Sequence, residues 1–302
     1  VNRIDAVYSE DITSSTFESG DWTFPANPNG LSVGSGAFSG STVQITVTGA
    51  PANTTVLGTT TVKYTNQGSS NSITDGSNSS ATSSVITLSD ETVPILLSAT
   101  YKDTNGDGAV NRIDAVYSED ITSSTFESGD WTFPANPNGL SVGSGAFSGS
   151  TVQITVTGAP ANTTVLGTTT VKYTNQGSSN SITDGSNSSA TSSVITLSDE
   201  AKPVIVSAVT GDNNSDGTLD RLTLTFSESV VITDGGTDND ITLSASTGSA
   251  SITAGSYGAT ASTLVYTISG ATAGNTSLTI DPTYAVSGAG DITDPTGNEM
   301  AN

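Results

Sequence analysis

Apolar and polar residues alternate along much of this chain with a period of two, the pattern of a β-strand that buries one face. Val43, Ile45 and Val47 alternate with Thr and Gln, and in the last third Leu222 and Leu224 alternate with Thr. Gly, Asn, Ser and Pro clusters such as PANPNG at 25–30 separate these segments and favour turns. About seven short strands per roughly 100 residues, with no helical stripe, predict an all-β chain of tandem immunoglobulin-like antiparallel β-sandwiches joined by short linkers.

The chain is built from repeats. Residues 1–91 recur without change as residues 110–200, and the stretch from Lys202 aligns without gaps to the stretch from Val93. This alignment predicts three immunoglobulin-like domains, called repeats 1, 2 and 3 below, at residues 1–92, 93–201 and 202–302.

Repeat 1 is predicted to lack its first strand and the loop after it, because nothing before Val1 corresponds to residues 92–109. Two explanations stay open. Either the chain is cut from a longer array, or a strand from a neighbouring molecule fills the open edge of the first sandwich.

The net charge limits the classes of molecule that the chain is expected to bind. Seven Lys and Arg residues stand against 29 Asp and Glu, which gives a formal net charge of −22. A nucleic-acid or anionic-membrane partner would require a basic patch, and seven scattered residues do not build one. An apolar run of about 18 residues, which membrane insertion would require, does not occur. Cations are therefore the expected partners.

The residue types needed for common catalytic sites are missing. With neither His nor Cys in the chain, Ser-His-Asp and Cys-His schemes are excluded, and zinc loses its usual imidazole ligands. Paired acids such as Asp90 and Glu91 could in principle hydrolyse glycosides, but they stand in the linker of a repeated unit. The chain is expected not to be an enzyme.

A calcium-loop motif occurs at the same place in repeats 2 and 3. Residues 103–111 follow the spacing D-x-[DN]-x-[DN]-G, which places side-chain oxygens at positions 1, 3 and 5 of a Ca²⁺ loop. Position 12 is not Glu and the flanks alternate as strands, so the loop is EF-hand-like in its ligands but is predicted to lie between two strands. A polar hairpin without metal is the alternative. The predicted ligands are Asp103, Asn105, Asp107, Ala109 (through its carbonyl) and Asn111 in repeat 2, and Asp212, Asn214, Asp216, Thr218 (carbonyl) and Asp220 in repeat 3.

The acidic linker after repeat 2 supplies two more candidate ligands. If the strands around loop 103–111 are the first two of the sandwich, the loop lies where the last strand leaves the repeat. Asp199 and Glu200 are then expected to approach it and to clamp repeat 2 to repeat 3, unless they form only a solvated strand end. Glu119 and Glu228 are predicted to point to the opposite end of their own repeats and are not assigned to this metal.

A second acidic loop recurs with Asp75, Asp184 and Asp294 in the three copies. An Asx turn, in which the carboxylate accepts hydrogen bonds from nearby backbone amides, is favoured here over a second cation site.

The third copy resembles a known family. PVIVSAV, DNNSDGTLDRLTLTFSESV and ITDPTGNEMA, which span nearly all of 203–302, resemble the bacterial Ig-like repeats of surface-layer proteins and large secreted adhesins. The exact repeats, acidity and lack of cysteine are similar in design to the extender regions of giant calcium-dependent adhesins. The resemblance implies an extracellular location, secreted or at the bacterial cell surface. Repeats 1 and 2 depart from the family pattern, with YSED in place of TFSE and GSNSSA in place of PTGNEM.

Three functions follow as hypotheses. The first is a calcium-stabilised stalk or lattice unit that contacts neighbouring copies of itself. The second is a filament subunit that assembles by strand complementation of repeat 1. The third is an adhesive module that binds glycans or ice through flat Thr-rich faces such as TVQITVT at 42–48, although Thr also simply favours strands.

Overall fold

The computed structural model describes residues 2–49, 59–68, 73–123, 125–159, 168–177, 182–232, 242–245, 248–256, 261–271, 278–281 and 292–300. Apart from two single turns of 3₁₀-helix, at Ser19–Asp21 and Ser128–Asp130, every regular element in these ranges is a β-strand. The predicted all-β class is therefore confirmed. No helix in the described ranges is long and apolar enough to cross a membrane.

The described part of repeat 1 forms two three-stranded antiparallel sheets, ordered β1-β4-β3 and β2-β5-β6. The period-two segment around Ile45 is the central strand β4, and its inward residues Val43 and Ile45 are fully buried. The strands are β1 (Arg3–Val7), β2 (Trp22–Thr23), β3 (Ser32–Ser39), β4 (Thr42–Thr48), β5 (Thr61–Tyr64) and β6 (Ile86–Thr87).

Repeat 2 has the same plan with two further strands, β7 and β14. Its sheets are ordered β10-β11-β8-β7-β14 and β13-β12-β9, and all pairings are antiparallel except that of β14 with β7, which is parallel. The strands are β7 (Leu96–Lys102), β8 (Arg112–Tyr117), β9 (Trp131–Thr132), β10 (Ser141–Ser148), β11 (Thr151–Thr157), β12 (Thr170–Tyr173), β13 (Ile195–Thr196) and β14 (Ser198–Asp199).

Repeat 3 contains a sheet ordered β15-β16-β19-β18, in which β21 also pairs with β16, and a separate β17-β20 pair. The strands are β15 (Ile205–Gly211), β16 (Arg221–Ile232), β17 (Thr242–Ala245), β18 (Gly248–Ser256), β19 (Ala261–Ala271), β20 (Leu278–Asp281) and β21 (Ile292–Thr293).

The buried apolar side chains of the described residues fall into three clusters, one in each repeat. In repeat 2 the cluster joins the two sheets: the ring of Tyr117 from β8 meets that of Tyr173 from β12 edge-to-face at 6.4 Å. Trp131 is only 3% exposed and lies against the same Tyr173 ring. Two sheets therefore pack face to face around an aromatic centre, as in a β-sandwich. The finer immunoglobulin-like topology stays a prediction.

One glycine in this packing gives a test. A Cβ atom at Gly145 would lie 2.2 Å from Cδ2 of Phe126, whose ring stacks on Trp131. G145A should therefore destabilise the chain by about 1–3 kcal/mol, because the ring has to move from its stacked position. Urea or thermal unfolding measures the change. G129A is the matched control, since a Cβ there meets nothing within 4 Å. Equal stabilities of the two variants would contradict this packing.

Candidate metal centre

Three carboxylates meet where each repeat joins the next. Asp90, Glu119 and Asp184 each bring one oxygen into a group whose members all lie within 4.8 Å of one another, and Asp199, Glu228 and Asp294 form a second group of the same kind. In each group the first acid comes from the linker that ends one repeat, and the other two come from the repeat that follows. We call these the junction clusters.

Serine side chains fix the linker beside the glutamates. At the second junction the Val204 amide donates to Ser227 Oγ at 3.0 Å, and the Ser227 amide donates to the Val204 carbonyl at 2.8 Å. Ser118 binds Ile95 in the same two ways at the first junction. Since Glu119 and Glu228 directly follow these serines, each glutamate is held next to the chain segment that carries the linker aspartate.

Asx turns orient the third acid of each cluster. Asp294 Oδ1 accepts hydrogen bonds from the amides of Thr296, Gly297 and Asn298 at 2.6–2.8 Å. Asp184 Oδ1 accepts from the amides of Ser186 and Asn187 in the same manner. Burial acts to raise the pKa of Asp184, but these amide hydrogen bonds outweigh it and hold the pKa below its ordinary value. The predicted Asx turn is confirmed, and it also places a carboxylate at the junction.

An asparagine from the same turn reaches back across the junction. Asn187 Nδ2 donates to the carbonyl of Asp90 at 3.2 Å, and Asn298 Nδ2 donates to the carbonyl of Asp199 at 3.4 Å. Each turn therefore contacts the linker through its backbone as well as through the acid cluster.

Burial raises the free energy of the ionised carboxylates in these clusters. Glu119 is 1% exposed and Glu228 is 5% exposed. Burial, followed by the nearby charge of Asp294, raises the pKa of Asp199 to about 6, although hydrogen bonds from Tyr101 and the Ala201 amide act to lower it. Because the cluster gathers carboxylate oxygens from three chain segments, it offers the ligands that hard divalent cations prefer.

Repeat 1 carries part of the same arrangement. Glu10 and Asp75 correspond to Glu119 and Asp184, and their carboxylates interact. Hydrogen bonds from Asn78 and Ser77 lower the pKa of Asp75 to about 2. Among the described residues, no third acid joins this pair. Repeat 1 is therefore an internal reference for a cluster without its linker aspartate.

The two predicted calcium loops lie between strands, as expected from the alternating flanks: 103–111 joins β7 to β8, and 212–220 joins β15 to β16. Their first acids close the turn, since Asp103 Oδ2 accepts from the Gly108 amide at 2.8 Å and Asp212 Oδ2 accepts from the Gly217 amide at 2.8 Å. The other carboxylates and amides at the predicted ligand positions bond within the loop, as the pairs Asn105–Asp107, Asn111–Asn105, Asp107–Ala109, Asn214–Asp216 and Asp216–Thr218 show. Metal binding by these loops stays a prediction.

The two linker acids contact groups other than the predicted loop ligands. The linker does run beside β7, with Asp199 paired to Tyr101 and the Glu200 amide donating to the Tyr101 carbonyl at 3.1 Å. However, the Asp199 side chain joins Glu228 and Asp294. Glu200 instead forms an ion pair with Lys102, whose ammonium also contacts Asp114. The predicted contribution of both acids to a calcium site in loop 103–111 stays a prediction.

Sequence reasoning missed the glutamates of the junction clusters. The strand pattern placed Glu119 and Glu228 at the end of their own repeats that lies opposite to the calcium loop of the same repeat. That end faces the linker of the preceding repeat. A usable signal was present: Asp90 and Glu119 recur as Asp199 and Glu228 at an offset of 109, and Asp184 recurs as Asp294 in the diverged copy.

Loop 103–111 contacts repeat 3 through Gly108. A Cβ atom there would lie 3.0 Å from both Ser227 Cβ and Val206 Cγ1. Since Ser227 precedes Glu228, this loop packs beside the second junction cluster.

Comparisons with known proteins identify no family for this chain. No family model and no curated protein matches the chain. Two solved structures are similar, the S-layer protein rSbsC(31-844) and domains 1–6 of the surface layer protein SbsC, each at 14% identity and a TM-score of 0.24. The match covers all of this chain and 57% of each of those chains. A TM-score of 0.24 is too low to indicate a shared fold.

A pair of glycines tests the contact between loop 103–111 and repeat 3. Gly108 and Gly217 have φ of 86° and 85°. A Cβ atom added at Gly108 would have neighbours within 4 Å, whereas one added at Gly217 would not. Both alanine variants should lose about 1 kcal/mol from the left-handed backbone conformation. G108A should lose more, because its methyl group also displaces the contact with Val206 and Ser227. Chemical denaturation measures both. A G217A loss as large as that of G108A would contradict the contact.

Proposed function

We propose that the chain is an extracellular structural protein, a calcium-stabilised stalk or lattice unit of a bacterial surface-layer or adhesin-type protein, in which each repeat is a separate domain. The observation that supports this best is the pair of junction clusters. Two Asp and one Glu meet at both junctions, although repeat 3 has diverged from repeat 2 over most of its sequence.

A bound cation would remove a large repulsion. At an effective dielectric of about 20, two unit charges 4.8 Å apart repel by about 3 kcal/mol. The three ionised carboxylates of one cluster form three such pairs. Glu119 in the first cluster, and Glu228 and Asp294 in the second, are almost completely buried. A divalent ion among the oxygens replaces this repulsion by attraction and compensates for lost hydration.

Calcium suits the donor set better than other divalent ions. The acids of the junction clusters offer carboxylate oxygens, and the chain has no His or Cys to favour zinc or copper. Ca²⁺ accepts six to eight oxygens in flexible geometry, whereas Mg²⁺ requires a near-regular octahedron of shorter bonds. Loops 103–111 and 212–220 are proposed as further calcium sites, with the ligands predicted from the motif.

Calcium at a junction would also make the array stiff. The linker acids Asp90 and Asp199 belong to one repeat, and their partner acids belong to the next. An ion held by both sides therefore opposes bending at the linker, and its binding free energy adds to the stability of the folded array. Stiffness of this kind suits a stalk or a lattice of neighbouring copies, and the exact repetition of 91 residues suits an extended surface protein.

Calcium should raise the melting temperature. At a free concentration of 100 times the dissociation constant, one site that exists only in the folded state adds about 2.7 kcal/mol to the free energy of unfolding. Differential scanning calorimetry in EGTA and in millimolar Ca²⁺ measures the shift, with Mg²⁺ as the control ion. Small-angle X-ray scattering should show a narrower distribution of lengths with Ca²⁺. Identical melting curves in EGTA and Ca²⁺ would contradict the proposal.

The variants E119Q and E10Q separate a junction ion from general charge effects. Both remove one carboxylate from identical local sequences, but Glu119 lies in a three-acid cluster and Glu10 interacts with Asp75 in repeat 1. In EGTA, E119Q should be at least as stable as the parent chain, because it relieves repulsion. In Ca²⁺ it should lose the part of the calcium-induced rise in melting temperature that comes from the first junction, whereas E10Q should keep the whole rise. Equal calcium responses of the two variants would rule out an ion at the first junction.

A further inference from the structure

Loop 103–111 contains an Asn–Gly pair, Asn105 and Gly106, and both residues are exposed. In such a pair the amide nitrogen of the glycine can attack the side-chain amide carbon of the asparagine and close a cyclic succinimide. Glycine favours this attack, because it has no Cβ atom to obstruct the approach. The reaction is a modification of the chain by itself, and its rate depends on the groups that surround the two reacting atoms.

Three hydrogen bonds place suitable groups around this pair. The Gly106 amide donates to Asp103 Oδ1 at 2.9 Å, so a carboxylate lies beside the proton that the attacking nitrogen has to lose. Asn111 Nδ2 donates to Asn105 Oδ1 at 2.7 Å and stabilises the negative charge that develops on this oxygen during the attack. Asn105 Nδ2 donates to Asp107 Oδ2 at 2.8 Å, which fixes the orientation of the side-chain amide.

The chain has two other Asn–Gly pairs, Asn29–Gly30 and Asn138–Gly139, and their surroundings differ. Both asparagines are half-buried. The two glycine amides donate to backbone carbonyls, that of Asn27 at 3.2 Å and that of Asn136 at 3.3 Å. A carbonyl oxygen accepts a hydrogen bond but does not take up the proton at neutral pH. These pairs are therefore internal references for an Asn–Gly sequence without a base.

The equivalent loop of repeat 3 gives a second comparison. Asn214 aligns with Asn105, but Ser215 follows it in place of glycine. Asp220 stands in place of Asn111, and a carboxylate has no amide to donate to the Asn214 oxygen. Two of the groups that act on Asn105 are thus replaced in repeat 3.

We propose that Asn105 is a self-deamidation site, at which the fold of loop 103–111 promotes formation of the succinimide. A bond forms between Gly106 N and Asn105 Cγ, and the bond between Asn105 Cγ and Nδ2 breaks. The proton of the Gly106 amide passes through Asp103 to the departing nitrogen, which leaves as ammonia. Water then opens the ring at either of its carbonyls and gives aspartate or isoaspartate.

Both products change the loop. Each adds a negative charge beside Asp103 and Asp107. Isoaspartate also brings Cβ into the main chain and so lengthens the turn that holds Gly108 against Ser227 of repeat 3. The modification therefore acts on a contact between two repeats. It requires no cation, so its test is separate from that of calcium binding.

Peptide mapping measures the reaction on the full 302-residue chain. The chain is incubated in EGTA at neutral pH, and trypsin then releases residues 103–112, because Lys102 and Arg112 flank the loop. Deamidation raises the mass of this peptide, and fragmentation assigns the change to Asn105. General-base catalysis contributes about 100-fold or more, so Asn105 should react at least about tenfold faster than the other two Asn–Gly pairs. Equal rates at the three pairs would overturn the proposal.

Two variants test the roles of the neighbouring groups. D103N removes the proton acceptor. N111D keeps the side-chain oxygen that accepts from Thr104 but removes the amide donor to Asn105. Each variant should slow the reaction at Asn105 by about tenfold and leave the other two pairs unchanged. A parent rate in both variants would overturn the proposal.

A denatured control separates the fold from the dipeptide. In concentrated urea the hydrogen bonds around Asn105 are lost, so the three Asn–Gly pairs should react at similar rates. Selectivity for Asn105 that persists in urea would show that the local sequence alone causes it, and would also overturn the proposal.

Discussion

At both junctions three carboxylates lie close together between consecutive repeats, around a glutamate that is buried. A buried carboxylate loses hydration, and neighbouring carboxylates repel one another, so such a cluster is stable only when other groups compensate. At both junctions the compensation begins with the protein itself: Asx-turn amides bind Asp184 and Asp294. The remaining negative charge is what makes these junctions suitable for a cation.

The geometry of the linker follows from a few short-range interactions. Ser118 and Ser227 tie the start of each repeat to its second strand through hydrogen bonds in both directions. These bonds bring a glutamate next to the preceding linker, and Asn187 or Asn298 closes the contact from the other side. A linker held at several points transmits orientation from one repeat to the next, which a free linker does not. A cation bound at these residues, as proposed, would also oppose bending at the linker.

Much of the fold could be predicted from local pattern, because period-two alternation and turn residues act over a few positions. The strand around Ile45, the loops at 103–111 and 212–220, and the Asx turns of Asp75 and Asp184 all follow from such short stretches. The junction clusters could not be predicted in this way. Glu228 meets Asp199 only because the end of one repeat faces the start of the next, and strand patterns within a repeat do not contain that relation. The predicted contribution of Asp199 to a calcium site in loop 103–111 stays a prediction.

We propose that a calcium ion binds among the three acids of each junction. A crystal structure of the chain grown in calcium, with anomalous differences recorded at a long X-ray wavelength, tests this most directly. We expect an anomalous peak within bonding distance of Asp90, Glu119 and Asp184, and a second peak among Asp199, Glu228 and Asp294. Ordered carboxylates with no peak at either junction would contradict it.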